Sequence, residues 1–289
     1  KFEIMNLGTM LHRSVKIGTV LFATFVLLSC AKKDNEPTTP DSKYIPISVH
    51  VSLGLPKDAD SADDYIINRR QYVLSYNKNL NVANWVAWEL NASWFGDAER
   101  GTKFYADTSL PEGFNRVVTD DYKYSGYDRG HTVRSEERTI DDADNRSTFI
   151  MTNIMPQMPD LNQGVWLNFE YFCQSLAQDS LKELFIYAGG VYHSGARIND
   201  LVAIPDSCFK IVVVLGSGKT LDDVNASTTI YAVMMPNIAG IRSVKWPTYA
   251  TTVDEIEKAT GYDFLNEVPK QIQALIESRK STIALKKAL

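Results

Sequence analysis

The chain has 289 residues, 44% of them hydrophobic and 11% aromatic, with 30 Lys/Arg against 35 Asp/Glu for a formal charge of −5. That is the composition of a folded protein with a sizeable core. The acidic balance excludes a protein that coats nucleic acid stoichiometrically, because such binders carry a basic face.

The N-terminus reads as a leader. His12, Arg13 and Lys16 precede an apolar run from Ile17 to Leu28 that is too short to span a bilayer comfortably, which fits a signal peptide over residues 1–29. The run ends in Leu27-Leu28-Ser29-Cys30, which looks like a bacterial lipobox, so Cys30 is the expected lipidated first residue of the mature chain and its membrane anchor. Residues 30–43 continue with Lys, Asp, Pro and Thr and no apolar period, and read as a flexible tether. Together these features imply an exported protein held at the bacterial cell envelope, in the periplasm or at the surface. Removal of residues 1–29 takes away Lys1, Arg13, Lys16 and Glu3, leaving 27 basic against 34 acidic side chains.

Residues 44–289 read as a single domain. Apolar runs with β-branched or aromatic content predict strands near Tyr72–Tyr76, Trp85–Trp94, Ser147–Met151, Glu183–Gly189, Phe209–Leu215 and Thr229–Met235. Helices are expected over Ser135–Asn145, over Asp160–Ala177 with Asp160 as N-cap, over Val253–Thr260, and over Pro269–Lys287 at the C-terminus. Strands and helices without a regular βαβ alternation point to an α+β fold, a mainly antiparallel central sheet flanked by helices. Beyond Cys30 there are two cysteines, Cys173 in a predicted helix and Cys208 at the start of a predicted strand. One disulfide and two buried thiols are equally compatible with them.

Three blocks concentrate side chains able to do chemistry: Asp128-Arg129-Gly130-His131, then Thr152-Asn153-Ile154-Met155-Pro156-Gln157, then Leu161-Asn162-Gln163-Gly164-Val165-Trp166-Leu167-Asn168-Phe169-Glu170. Each is weak alone. In this order and spacing they resemble the DNA/RNA non-specific endonuclease family, whose members are ββα-metal (His-Me finger) nucleases. Upstream, Trp85 to Leu90, Arg100 and Phe104-Tyr105-Ala106-Asp107 fit the same likeness. Val253 to Phe264 looks like the family's C-terminal element, which closes the fold. The resemblance implies an endonuclease that hydrolyses phosphodiester bonds of DNA and RNA, leaves 5′-phosphate ends and requires Mg²⁺, with Mn²⁺ or another divalent cation as alternatives.

Within that resemblance each residue has an expected task. His131 can take a proton from water near neutrality once a hydrogen bond fixes its tautomer, and is the expected general base. Outside the motif, His12, His50 and His193 read as surface or satisfied core residues. Asn162 offers a hard amide oxygen and is the expected metal ligand. Glu170 lies two α-helical turns beyond it, roughly 12 Å along the axis. It is therefore expected to act through a metal-bound water or by orienting a neighbour. Asn153 is expected to bond near the phosphate or to fix the His131 loop. Arg129 is expected to clamp a phosphate oxygen or to pair with a carboxylate inside the fold, and Asp128 to be structural. Arg100, with Thr102 as the alternative aligned position, is the expected stabiliser of the transition-state phosphate. Between Arg116 and Arg146 six basic residues face eight acidic ones, so no basic stripe is expected there. Two rival readings are a non-catalytic envelope lipoprotein that binds nucleic acid and a hydrolase of other phosphodiesters.

Overall fold

The computed structural model describes residues 48–281. The expected signal peptide, the lipidated Cys30, the tether and the end of the last predicted helix lie outside the described residues. In chain order the main elements are β1 (Tyr65–Asn68), β2 (Val73–Asn77), β3 (Val82–Leu90), β4 (Asp128–His131), α1 (Asp142–Thr148), β5 (Ile154–Gln157) and α2 (Leu167–Gln178). They continue with β6 (Glu183–Val191), β7 (Arg197–Ile198), β8 (Val202–Ala203), β9 (Ser207–Leu215), β10 (Thr229–Pro236), β11 (Ala250–Thr251), α3 (Val253–Thr260) and α4 (Lys270–Glu277).

Seven strands form one sheet in the order β1-β2-β3-β6-β9-β10-β11, with every neighbouring pair antiparallel. Its central strands are covered on both faces, which is why their sequences are largely apolar, broken only by buried polar residues such as Asn84 and Glu89 in β3 and Lys210 in β9. Alternate residues still serve different layers. On β3, Val86, Trp88 and Leu90 enter one core, while Trp85 and Ala87 enter the other. The first layer also takes Leu161, Val165, Phe169, Cys173 and Ala177, a stripe of every fourth residue that lays α2 and the turn before it on the sheet. Burying each large apolar side chain of that stripe contributes about 1.5–3 kcal/mol. The second layer takes Val253 and Ile256 of α3 and Ile276 of α4. The expected α+β class and antiparallel sheet are thus observed.

Local differences from the expected elements have identifiable causes. The strand expected over Ser147–Met151 is absent: Ser147 and Thr148 end α1, their hydroxyls donating to the carbonyls of Asp144 and Asn145, and Met151–Asn153 form a 3₁₀ turn. The helix expected over Ser135–Asn145 is split. Asp141 starts a new helix by accepting the Asp144 amide at 2.8 Å, and only Ser135–Glu137 is helical before it, as one 3₁₀ turn. The strand expected to reach Trp94 stops at Leu90, where the Asn91 side chain caps a 3₁₀ turn. Asp160 precedes a helical turn without capping it, because its carboxylate is taken by Arg242 Nε at 2.9 Å and the Gly240 amide at 2.7 Å. The last predicted helix is shorter, Lys270–Glu277. Cys173 and Cys208 are buried free thiols.

Candidate active site

Strands β4 and β5 pair antiparallel as a two-stranded ribbon, with Asp128 opposite Gln157 and His131 opposite Ile154. With α2 this makes a ββα unit on the first face of the sheet. Gly130 is required at the crossing, because a Cβ there would collide with the Gln157 side chain. Asn153 holds the chain beyond His131. Its amide donates to the carbonyls of Val133 (2.9 Å) and Thr148 (2.8 Å), its side-chain oxygen accepts the Val133 amide (3.0 Å), and its own carbonyl accepts the Thr132 amide (2.9 Å). Fully buried and with both amide atoms committed, Asn153 positions the His131 loop and is closed to a phosphate.

His131 is buried between two aromatic rings. Phe149 meets it edge-on at 4.7 Å between centroids, and Phe104 lies tilted at 5.5 Å. Nε2 is buried and has no hydrogen-bond partner among the described residues, so ring packing sets the imidazole's orientation in place of the expected hydrogen bond. Burial, reinforced by the guanidinium of Arg100 and opposed by Glu136, pushes the imidazole pKa down to about 3. The side chain is neutral across the physiological range. By contrast His50 accepts the Glu89 amide at Nδ1 and donates from Nε2 to the Arg70 carbonyl, a satisfied core histidine.

The rings that hold His131 also carry cations. The Arg129 guanidinium stacks over Phe104 at 4.6 Å, and that of Arg100 lies 5.5 Å from the Phe149 centroid. Arg129 has no ion pair or side-chain hydrogen bond among the described residues, so the internal carboxylate expected for it is absent. Arg100 bonds Ser135 Oγ at 2.5 Å and Glu136 at 2.7 Å, with half of its side chain exposed. Such a solvated pair exchanges partners at little cost.

Asp128 organises the possible metal ligand. Its carboxylate accepts the side-chain amides of Asn162 at 2.9 Å and Gln163 at 2.7 Å. A carboxylate only accepts, so the Asn162 nitrogen must face it and the carbonyl Oδ1 must face away. No described residue donates to that oxygen. A hard, uncharged donor held in one orientation and left open fits a divalent cation. Asn162 sits in a wide helical turn, Leu161–Trp166, interrupted at Gly164 before α2 begins. The spacing of Asn162 and Glu170 is therefore not two turns of one regular α-helix. Gly164 allows the interruption because a Cβ there would sit 2.6 Å from Arg242 Cα.

Glu170, in the first turn of α2, is buried against two cations, Lys210 Nζ at 3.4 Å and Arg134 Nε at 3.8 Å. Burial raises its pKa to about 7, with Lys210 pulling the other way and Glu137 adding to the rise. Lys210 lies on β9, paired with Ala188, and alternation turns it to the α2 face. It is 1% exposed, its ammonium 4.4 Å from the Trp166 ring and 5.3 Å from Trp88. Arg134 links outward: it contacts Glu136 at 3.1 Å, donates to Gln174 at 2.7 Å and stacks over Tyr171.

The site thus combines a buried neutral histidine among guanidiniums with an amide oxygen oriented by a carboxylate of the same strand. The sequence profile of the DNA/RNA non-specific endonuclease family matches residues 55–271. The chain belongs to this family. A nuclease from Nostoc sp. is 46% identical over 270 residues, covering 91% of this chain and 97% of its own. Human Endonuclease G, mitochondrial, is 25% identical over 219 residues, 70% of this chain and 69% of its own. A chain from a crystal structure of an EndoG/EndoGI complex superposes with a TM-score of 0.67 at 21% identity, over 84% of this chain and 100% of that one. It shares the fold. The chain is therefore an endonuclease, an enzyme acting on nucleic acid, in a family that depends on a divalent cation.

The ββα unit gathers His131, Arg129, Asp128 and Asn162, the turn after β4 adds Arg134 and Glu136, and Arg100 reaches Glu136 from the segment before β4. Sequence reasoning did not single out Lys210, Arg134 or Phe149. Lys210 had a signal, a lone ammonium inside the apolar run Phe209–Leu215. A cavity of about 610 Å³ lies elsewhere, lined by Val51, Leu55, Phe185 and Leu221 on the second face. A smaller one of about 200 Å³, lined by Gly101, Tyr105, Arg146 and Phe149, adjoins Arg100. An enzyme that works on a polymer backbone needs an open edge more than an enclosed cavity.

Proposed function

We propose that this enzyme is a Mg²⁺-dependent endonuclease that cuts DNA and RNA without regard to sequence or sugar, with His131 as general base and Asn162 as its metal ligand. The observation that carries this reading is the Asp128–Asn162 hydrogen bond on the strand that ends in His131. A bound divalent cation at Asn162 supplies charge neutralisation on the phosphoryl oxygens and the leaving 3′-oxygen. His131 takes a proton from the attacking water as the water oxygen bonds to phosphorus. The P–O3′ bond breaks, the released 3′-oxygen gains a proton from solvent, and the other product keeps a 5′-phosphate.

The resting imidazole is a weak base because burial, and then Arg100, Arg134 and Arg129, disfavour its cation. A bound phosphate brings negative charge among these guanidiniums and offsets that penalty, so the base strengthens when substrate is in place. Arg129 is open to a phosphate oxygen from its seat on Phe104. Arg100 reaches one by leaving Glu136. Glu170, held by Lys210 and Arg134, sets the inner wall of the site. Recognition through phosphate contacts carries no sequence information, which suits a non-specific enzyme.

Digestion of plasmid DNA and of a structured RNA, with and without EDTA, tests the reading. Cleavage of both in Mg²⁺ and of neither in EDTA is expected; cleavage persisting in EDTA would refute it. The leader and Cys30 support a second proposal, that the enzyme is lipid-anchored at the bacterial envelope. Radiolabelled palmitate incorporated into the wild-type chain but not into Cys30→Ser is the expected result.

A further inference from the structure

On the sheet face away from the candidate site, α3 and α4 bring three carboxylates together. Asp254 and Glu257 stand three residues apart on α3, hence on one side of it, and Glu277 ends α4. One carboxylate oxygen from each lies within 4.8 Å of the other two. Asp254 is exposed and Glu257 half-buried, whereas Glu277 is only 6% exposed, and its Oε1 is buried without a hydrogen-bond partner among the described residues. Glu257 Oε1 is oriented by the Phe264 amide at 2.8 Å. No described Lys or Arg pairs with any of the three; nearby Lys270 pairs with Asp263 at 3.6 Å. A buried carboxylate facing two others is costly unless something positive joins it.

We propose that Asp254, Glu257 and Glu277 hold a divalent cation of calcium size that clamps α4 onto α3. Two oxygens on one ion can be no further apart than twice the bond length, about 4.2 Å for Mg²⁺ and about 4.6–5.2 Å for Ca²⁺. The three oxygens lie within 4.8 Å of one another, inside the Ca²⁺ range, and three protein carboxylates exceed the one or two that Mg²⁺ usually takes. Three carboxylate donors, with the exposed side at Asp254 open to water, complete a calcium-like coordination. Val253, Ile256 and Ile276 belong to the second core layer and Leu161, Val165 and Phe169 to the first, so the site is separated from the reaction by the sheet. Its role is to stabilise the closing helices.

The test is calorimetric titration of the full chain carrying Asn162→Ala with CaCl₂, with thermal unfolding followed in parallel. That background removes the proposed catalytic ligand, and neither readout depends on cleavage. One Ca²⁺ per chain is expected, with a rise in Tm on the order of 5 °C at saturation and a weaker response to Mg²⁺. Both effects should be lost in Glu277→Gln and in Asp254→Asn made on the same background. Either substitution alone in the otherwise native chain should leave Mg²⁺-supported cleavage within about twofold. No binding and no change in Tm at about 10 mM Ca²⁺ would overturn the proposal. So would an unchanged response in both substituted chains, or an equal response to Mg²⁺.

Discussion

The Asp128 carboxylate accepts the Asn162 side-chain amide at 2.9 Å, joining the strand that ends in His131 to the turn that carries the candidate metal ligand. One acceptor thereby decides which way the Asn162 amide points. Asp128→Asn keeps the shape but can both donate and accept, so it no longer fixes that orientation. The Mg²⁺ concentration for half-maximal cleavage should rise about 10–100-fold, the usual cost of losing a partner behind a metal ligand. Titration of cleavage rate against Mg²⁺ checks this; an unchanged midpoint would remove Asp128 from the site.

Lys210 compensates a buried carboxylate. Lys210→Met leaves Glu170 beside Arg134 alone and should destabilise the fold by about 3–5 kcal/mol. The sign of the pH effect follows from Glu170, whose folded pKa of about 7 stands above its ordinary 4.5. Its contribution to stability is fully present below the unfolded value and is lost as pH rises through the folded one. The deficit of Lys210→Met in urea unfolding should therefore shrink between pH 8 and pH 5. A deficit that grows on acidification would contradict the account.

His131 should stay neutral well below the usual range of histidine. With the folded pKa near 3 and the ordinary value 6.5, stability is fully present above pH 6.5 and is lost as pH falls toward 3. NMR titration of the ring carbons, assigned with His131→Gln, should show no protonation of His131 down to about pH 5. A His131 midpoint near 6.5 would mean that the ring is hydrated and that the guanidiniums do not reach it.

Gly164 separates the Asn162 turn from α2. Gly164→Ala places a methyl group 2.6 Å from Arg242 Cα, so the turn must shift. A loss of about 1–3 kcal/mol in stability is expected, with a drop in cleavage larger than the loss of folded protein explains. Thermal unfolding and specific activity on the same preparation separate the two.

The sheet was legible because its central strands are rich in apolar residues, and Glu183–Gly189, Phe209–Leu215 and Thr229–Met235 fall inside β6, β9 and β10. The ribbon strand Asp128–His131 was legible as chemistry and invisible as structure, since four polar or small residues carry no period. Phe149 and Ile150 read as a strand, but the back-bonded hydroxyls of Ser147 and Thr148 extend a helix that Asp141 had started. The motif named His131, Asn162 and Glu170; what holds them did not show. Asp128 meets Asn162 across 34 residues and Lys210 meets Glu170 across 40, separations that a single sequence leaves open.

The central claim, that His131 is the base of a metal-supported phosphodiester hydrolysis, is tested most directly by plasmid cleavage with His131→Ala in Mg²⁺, with and without added imidazole. The substitution opens a space between Phe104 and Phe149 the size of the lost ring. The account predicts a loss of at least about 100-fold, the ordinary weight of general-base catalysis, with partial recovery on adding imidazole. Cleavage by the folded variant at the wild-type rate would contradict it.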